Sequence, residues 1–170
     1  MNVTRKTKLA LGLLLSIVLM PITWAEPSEV DIAFVIDDTK SMAAGLDTIV
    51  EALTKLVREL KAAGGTPPQI ELITFKDEVT SQIVTNDLDL LLQHVGNLTA
   101  TGGGKCPEAS IEALNEAANH LKKGGRIWFA TDASPHENAD VAGTTALLRS
   151  KNIRMDALLS GDCASAQAYQ

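Results

Sequence analysis

The sequence predicts an α/β protein with a doubly wound, mostly parallel sheet and one antiparallel edge hairpin. Three observations predict it. Residues 30–36 and 126–131 are nearly continuous apolar, β-branched runs, the composition of strands covered on both faces, as in a parallel sheet. Amphipathic helical patterns alternate with these runs, which implies right-handed crossovers placing helices on both sides. Two further strand-like runs, 69–75 and 78–85, are joined only across Lys76-Asp77, a link that fits an antiparallel hairpin.

Each element follows in order. After the strand at 30–36, Leu46, Ile49, Val50, Leu53, Leu56, Val57 and Leu60 recur at spacings of three and four, one apolar helix stripe. Gly64-Gly65 ends that helix and Pro67-Pro68 prevents its resumption. The hairpin comes next, then a short helix over 88–95 and a glycine-rich loop over 99–105. Residues 107–122 form an amphipathic helix with Pro107 near its first turn and Gly124-Gly125 closing it. The strand at 126–131, a helix over 139–150 and a strand over 153–159 complete the order.

Residues 1–25 read as a secretory signal. Arg5, Lys6 and Lys8 precede a 12-residue apolar stretch, 9–20, and Thr23-Trp24-Ala25 puts small residues where a signal peptidase looks. Twelve residues are too few to span a hydrocarbon core of ~30 Å, and no later stretch is apolar enough to try; an uncleaved anchor is the alternative. Cleavage after Ala25 predicts a secreted or periplasmic protein of 145 residues. That length holds one domain, over 29–163, followed by a short remnant, 164–170. Loss of three cations and no acids takes the net charge from −6 to −9. A nucleic-acid partner needs concentrated Lys and Arg, so that class is excluded; a cation, or a partner met through one, fits the charge. The only cysteines, Cys106 and Cys163, both fall in the exported part. An even count in an oxidising compartment predicts one disulfide clamping two loops, with two buried thiols as the alternative.

The carboxyl ends of the strands, where ligands bind in such sheets, carry the distinctive residues. The first strand runs into Asp37-Asp38-Thr39-Lys40-Ser41. Asp37, Thr39 and Ser41 alternate and can project to one side, offering the carboxylate and hydroxyl oxygens that a hard cation such as Mg²⁺ takes. Asp132, at the end of the strand over 126–131, is the second oxygen source, and the loop Thr101-Gly102-Gly103-Gly104-Lys105 can bring backbone to the same point. The competing reading is that Asp, Thr and Ser between strand and helix merely cap helices. His136 lies in the loop after Asp132 and is placed at the rim; Asp38 and Lys40 are placed facing solvent, His94 and His120 on helix surfaces.

These residues carry a resemblance. Phe-Val-Ile-Asp37-Asp-Thr39-Lys-Ser41-Met resembles the Asp-x-Ser/Thr-x-Ser signature of von Willebrand factor A-type (VWFA) domains. The segments Gly102-Gly-Gly-Lys-Cys106-Pro107-Glu108, Thr131-Asp132-Ala-Ser-Pro135-His136 and Leu159-Ser-Gly161-Asp162-Cys163 resemble the hemicentin-like branch. The resemblance implies a Rossmann-like fold and a metal-ion-dependent adhesion site, with Asp37, Thr39, Ser41 and Asp132 as metal residues. It also implies Mg²⁺, or Mn²⁺ or Ca²⁺, as cofactor and a protein partner presenting an acidic side chain. Such domains are normally not enzymes.

Two departures qualify the transfer. The family's remaining ligand, a Thr or Asp, aligns with Lys105, whose ammonium is a donor only and cannot ligate a cation; it would act as a counter-charge, with Thr101 as a substitute oxygen. The family also continues for a further helix and strand, which 164–170 would not complete, leaving an exposed sheet edge. The expectation is therefore an exported adhesion module, not an enzyme. A metal-free scaffold is one alternative. A haloacid-dehalogenase-like phosphatase with Asp37 as nucleophile is another, although that chemistry wants a second Asp where Thr39 stands.

Overall fold

The apolar run at 30–36 forms the central strand, β1 (Val30–Asp37). The computed structural model describes residues 29–104 and 106–163, without the side chains of 162 and 163. The expected signal segment 1–25, Lys105 and the remnant 164–170 lie outside the described residues.

A 3₁₀ turn, Lys40–Met42, leads from β1 into α1 (Ala43–Ala63). Strands β2 (Ile70–Phe75) and β3 (Val79–Thr85) form the hairpin, followed by α2 (Leu88–Gly96) and α3 (Ser110–His120). Then come β4 (Leu121–Ala133), α4 (Val141–Ser150) and β5 (Arg154–Cys163). The five strands lie in the order β3-β2-β1-β4-β5. β1 pairs in parallel with β2 and β4, β4 with β5, and only β2–β3 is antiparallel. This is the doubly wound sheet with one edge hairpin.

Alternation along the strands splits the core in two. Phe34, Ile36, Ile70 and Leu72 face α1 and α2, packing with Leu46, Leu53, Val57, Leu91 and Val95. Ala33, Val35, Ile73, Phe75, Ile127 and Phe129 face α3 and meet Ile111, Leu114 and Ala117. Burying each large apolar side chain stabilises the fold by roughly 1.5–3 kcal/mol, so neither helical layer can be lost independently of the sheet.

The helix expected over 107–122 is shorter than its pattern at both ends. Glu108 N–H donates to Ser134 O (2.9 Å) and Ala109 N–H to Lys76 O (2.7 Å), so neighbouring loops occupy the backbone of the expected first turn. At the other end Leu121 is extended and pairs with Val30. Gly124-Gly125 therefore does not close the helix; it lies inside β4, where the register slips between Leu121 and Arg126. A Cβ on Gly125 would stand 3.0 Å from Lys122 O and 3.3 Å from Asp31 O, so a side chain at this kink would crowd the backbone on both sides.

The direction of winding places the site. From β1 the chain moves outward to β2 and β3, then returns to β1's other side as β4. The carboxyl ends of β1 and β4 thus adjoin at the point of reversal, where doubly wound sheets open a crevice.

Candidate metal centre

β1 ends in Asp37, which is fully buried. Its Oδ1 accepts the Thr39 N–H (2.9 Å) and the Thr39 hydroxyl (2.6 Å), folding the chain back after the strand in an Asx-type turn. Its Oδ2 accepts the Thr131 hydroxyl across from β4 (2.6 Å). Thr39 Oγ1 lies 2.9 Å from Ser41 Oγ, and Ser41 donates to Asp132 Oδ1 (3.0 Å). A continuous run of oxygens, Thr131–Asp37–Thr39–Ser41–Asp132, therefore bridges the ends of the two central strands.

The structure brings Asp37, Thr39, Ser41 and Asp132 together, and capping does not account for them. Thr39 and Met42, which precede the 3₁₀ turn and α1, make no side-chain cap bond. Asp140, not Asp132, caps α4, accepting the Gly143 N–H at 2.8 Å.

The proton count shows what this arrangement suits. A hydroxyl has one proton to donate and two lone pairs. With the Thr39 proton on Asp37 and the Ser41 proton on Asp132, none is left for the 2.9 Å contact between the two hydroxyls. Their lone pairs then face a common space flanked by two carboxylates, which is the donor chemistry of a hard cation.

A pocket of about 170 Å³ opens over this run, lined by Thr39, Ser41, the glycine loop, Cys106, Glu108 and Asp132. The loop is tied to the strand end by Lys40 N–H to Gly102 O and Thr101 N–H to Asp38 O, both 3.0 Å. Gly102 and Gly103 adopt φ of 67° and 74°, and a Cβ on Gly103 would fall 2.8 Å from Thr39 Cβ. Thr101 is exposed and contributes that backbone bond. His136 Nδ1 lies 3.3 Å from Glu112 Oε1 of α3, so this residue leans toward the helix. The expected Cys106–Cys163 bridge rests on a Cys163 side chain outside the described residues.

Electrostatics concentrate negative charge here. Burial pushes the Asp132 carboxyl above its ordinary value, and the charge of Asp37 adds to that against the Ser41 hydrogen bond. Burial and the charges of Asp77 and Asp37 push Glu108 up to about 7. Asp38 does not face solvent as expected. It is half-buried in an ion pair with Lys76 (2.6 Å), whose ammonium also donates to Asp38 O (2.9 Å).

Sequence reasoning missed Thr131, Glu108 and Lys76. Thr131 read as a strand end, Glu108 as a first-turn helix residue and Lys76 as hairpin link. An acid next to Pro107, in a segment adjoining a glycine loop, was the one available signal for Glu108.

Residues 31–170 match the family model described as the von Willebrand factor A domain. The chain belongs to this family. It is 30% identical to mouse hemicentin-1 over 134 residues, 78% of this chain but 2% of that protein. It spans no more than 15% of other curated relatives such as rat von Willebrand factor A domain-containing protein 7. Among solved structures it resembles manganese-loaded TRAP protein of Plasmodium vivax, with a TM-score of 0.62 at 18% identity over 83% of this chain and 61% of that one. Proximal thread matrix protein 1 from the mussel byssus, with a zinc-occupied MIDAS motif, gives 0.59 at 16% identity over 83% and 38%. At such identities these structures establish the VWFA fold.

Proposed function

We propose that this VWFA domain is an exported binding module that engages a protein partner through a divalent cation. Thr39 and Ser41 would hold the ion with their hydroxyl oxygens, and Asp37 and Asp132 would balance its charge, directly or through water. When bound, the ion supplies an open coordination position that attracts a carboxylate, so the partner presents an acidic side chain. The observation that carries this reading is the convergence of the Thr39 and Ser41 hydroxyl oxygens, 2.9 Å apart and flanked by the carboxylates of Asp37 and Asp132. The manganese-loaded and zinc-occupied relatives support it. Mg²⁺ is the ion of choice for so few carboxylates, with Mn²⁺ or Ca²⁺ as substitutes.

The rest of the chain serves this reading. Residues 1–25 direct export, and no helix among the described residues is long and apolar enough to cross a membrane. A Cys106–Cys163 bridge ties the pocket wall to the end of β5. Lys105 acts as a counter-charge that lowers cation affinity, so Lys105→Thr strengthens it.

A phosphatase reading finds less support. Asp37 is buried and both its oxygens are engaged by Thr39 and Thr131, which suits a positioning carboxylate rather than an attacking one.

Thermal unfolding of the full chain with and without millimolar Mg²⁺ or Mn²⁺ tests the proposal. An ion at 100 times its dissociation constant adds about 2.7 kcal/mol, and Asp132→Ala abolishes that gain. An unchanged melting temperature in the natural protein, or an equal shift in Asp132→Ala, contradicts it.

A further inference from the structure

The pocket above the Thr39 and Ser41 hydroxyls is walled by Glu108 and Asp132, with Asp37 buried behind Thr39. Asp77 stands close by: a Cβ on Gly104 would lie 3.4 Å from its Oδ1, and its charge acts on Glu108. Even a divalent cation among these carboxylates leaves no net positive charge for a partner's acidic side chain to meet. Like charges facing each other across an interface oppose binding, so an acidic partner gains from a second positive group at the rim.

Of the described residues lining the pocket, Lys40 alone is basic. It opens the 3₁₀ turn between Thr39 and Ser41, and its N–H donates to Gly102 O at 3.0 Å, which fixes its backbone at the pocket mouth. Its side chain is exposed, and its ammonium makes no ion pair or hydrogen bond with another described residue. Lys76, also at this end of the sheet, is committed instead: its ammonium pairs with Asp38 at 2.6 Å and donates to Asp38 O at 2.9 Å. An ammonium on a flexible stem carries three donors. Lys40 can therefore take a carboxylate oxygen at the rim while Thr39 and Ser41 keep their hydroxyls for the cation.

We propose that Lys40 is a second anchor for the partner, which presents two carboxylates, one received at the cation site and the other by the Lys40 ammonium. This rests on the cation reading above and deepens it, from a partner with an acidic side chain to an acidic segment. Lys40 contributes specificity and leaves cation uptake to the oxygens.

The probes are two blocked peptides, Gly-Glu-Gly-Glu-Gly and Gly-Glu-Gly-Gln-Gly, titrated into the full chain and followed by nuclear magnetic resonance. Mg²⁺ is present, and salt at about 0.15 M screens long-range attraction. Both peptides bind the natural chain, and chelator abolishes the binding. Lys40→Ala weakens the two-acid peptide by about two- to fivefold, the range of an exposed ion pair, and leaves the one-acid peptide unchanged. Lys40→Arg, which keeps the charge, binds both as the natural chain does. If Lys40→Ala weakens neither peptide, or both equally, or if Lys105→Ala produces the selective loss in its place, the inference is overturned while the cation reading stands. If the natural chain binds neither peptide, or binds them equally in chelator, both are overturned.

Discussion

Thr131 donates its hydroxyl proton to Asp37 Oδ2 at 2.6 Å and accepts the Ala133 N–H at 3.0 Å, so one side chain joins the carboxylate of β1 to the turn leaving β4. Removing the hydroxyl while keeping the shape strips a fully buried carboxylate of one of its partners. Hydrogen bonds to charged groups contribute about 1.5–3 kcal/mol, and Thr131→Val is expected to lower unfolding free energy by that amount in urea titrations. A loss below 0.5 kcal/mol, the usual size for a substitution away from any special feature, would mean Asp37 is held by Thr39 alone. Asp37, Thr39, Ser41 and Asp132 were legible in the sequence because their order on two strand ends is a local pattern. Thr131 and Glu108 were not, because what matters is the atom each faces, and that depends on the register of β4 against β1.

At the scale of elements, β2 and α3 are joined by a buried glutamate and an exposed histidine that no local pattern announced. Glu71 is fully buried and its Oε1 accepts Gln82 Nε2 of β3 (2.5 Å) and contacts His120 Nδ1 at the end of α3 (2.8 Å). Burial holds its carboxyl above the ordinary glutamate value of 4.5, the charge of Glu116 adds to this, and the Gln82 and His120 hydrogen bonds oppose it. A carboxyl whose folded value is raised binds its proton more tightly in the native state than in the unfolded chain. Its stabilising contribution is complete below the unfolded value and is lost as pH climbs from about 4.5 through the raised folded value. Urea unfolding in chelator at several pH values should therefore show stability declining more steeply over this range in the natural protein than in Glu71→Gln. Parallel curves would show that Glu71 titrates as it does in the unfolded chain. The boundaries of α3 were misread for a similar reason: its helical period continues into Leu121 and Lys122, but pairing of Leu121 with Val30 outweighs local propensity.

For the whole molecule, the fold class followed from composition and alternation, whereas strand order needed the tertiary structure. The order β3-β2-β1-β4-β5 places the reversal between β1 and β4 and so brings Asp37 and Asp132 together. The same order leaves β5 at an edge. On the α1 side a groove of about 290 Å³ runs among Ile49, Leu56, Trp128 and Leu158, with Trp128 39% and Leu158 55% exposed. Arg126 covers one part, its guanidinium 5.2 Å from the Trp128 ring centre. A dye that fluoresces on apolar surface should bind the native protein here, and Leu158→Lys should reduce that signal without lowering the melting temperature; undiminished fluorescence would place the dye elsewhere. The central claim, that the oxygens at the reversal point hold a divalent cation, is tested most directly by electron paramagnetic resonance of Mn²⁺ titrated into the chelator-treated full chain. The account predicts one bound Mn²⁺ per chain, displaced by Mg²⁺ and lost in Ser41→Ala. A free-ion signal identical to that in buffer, or equal binding by Ser41→Ala, would contradict it.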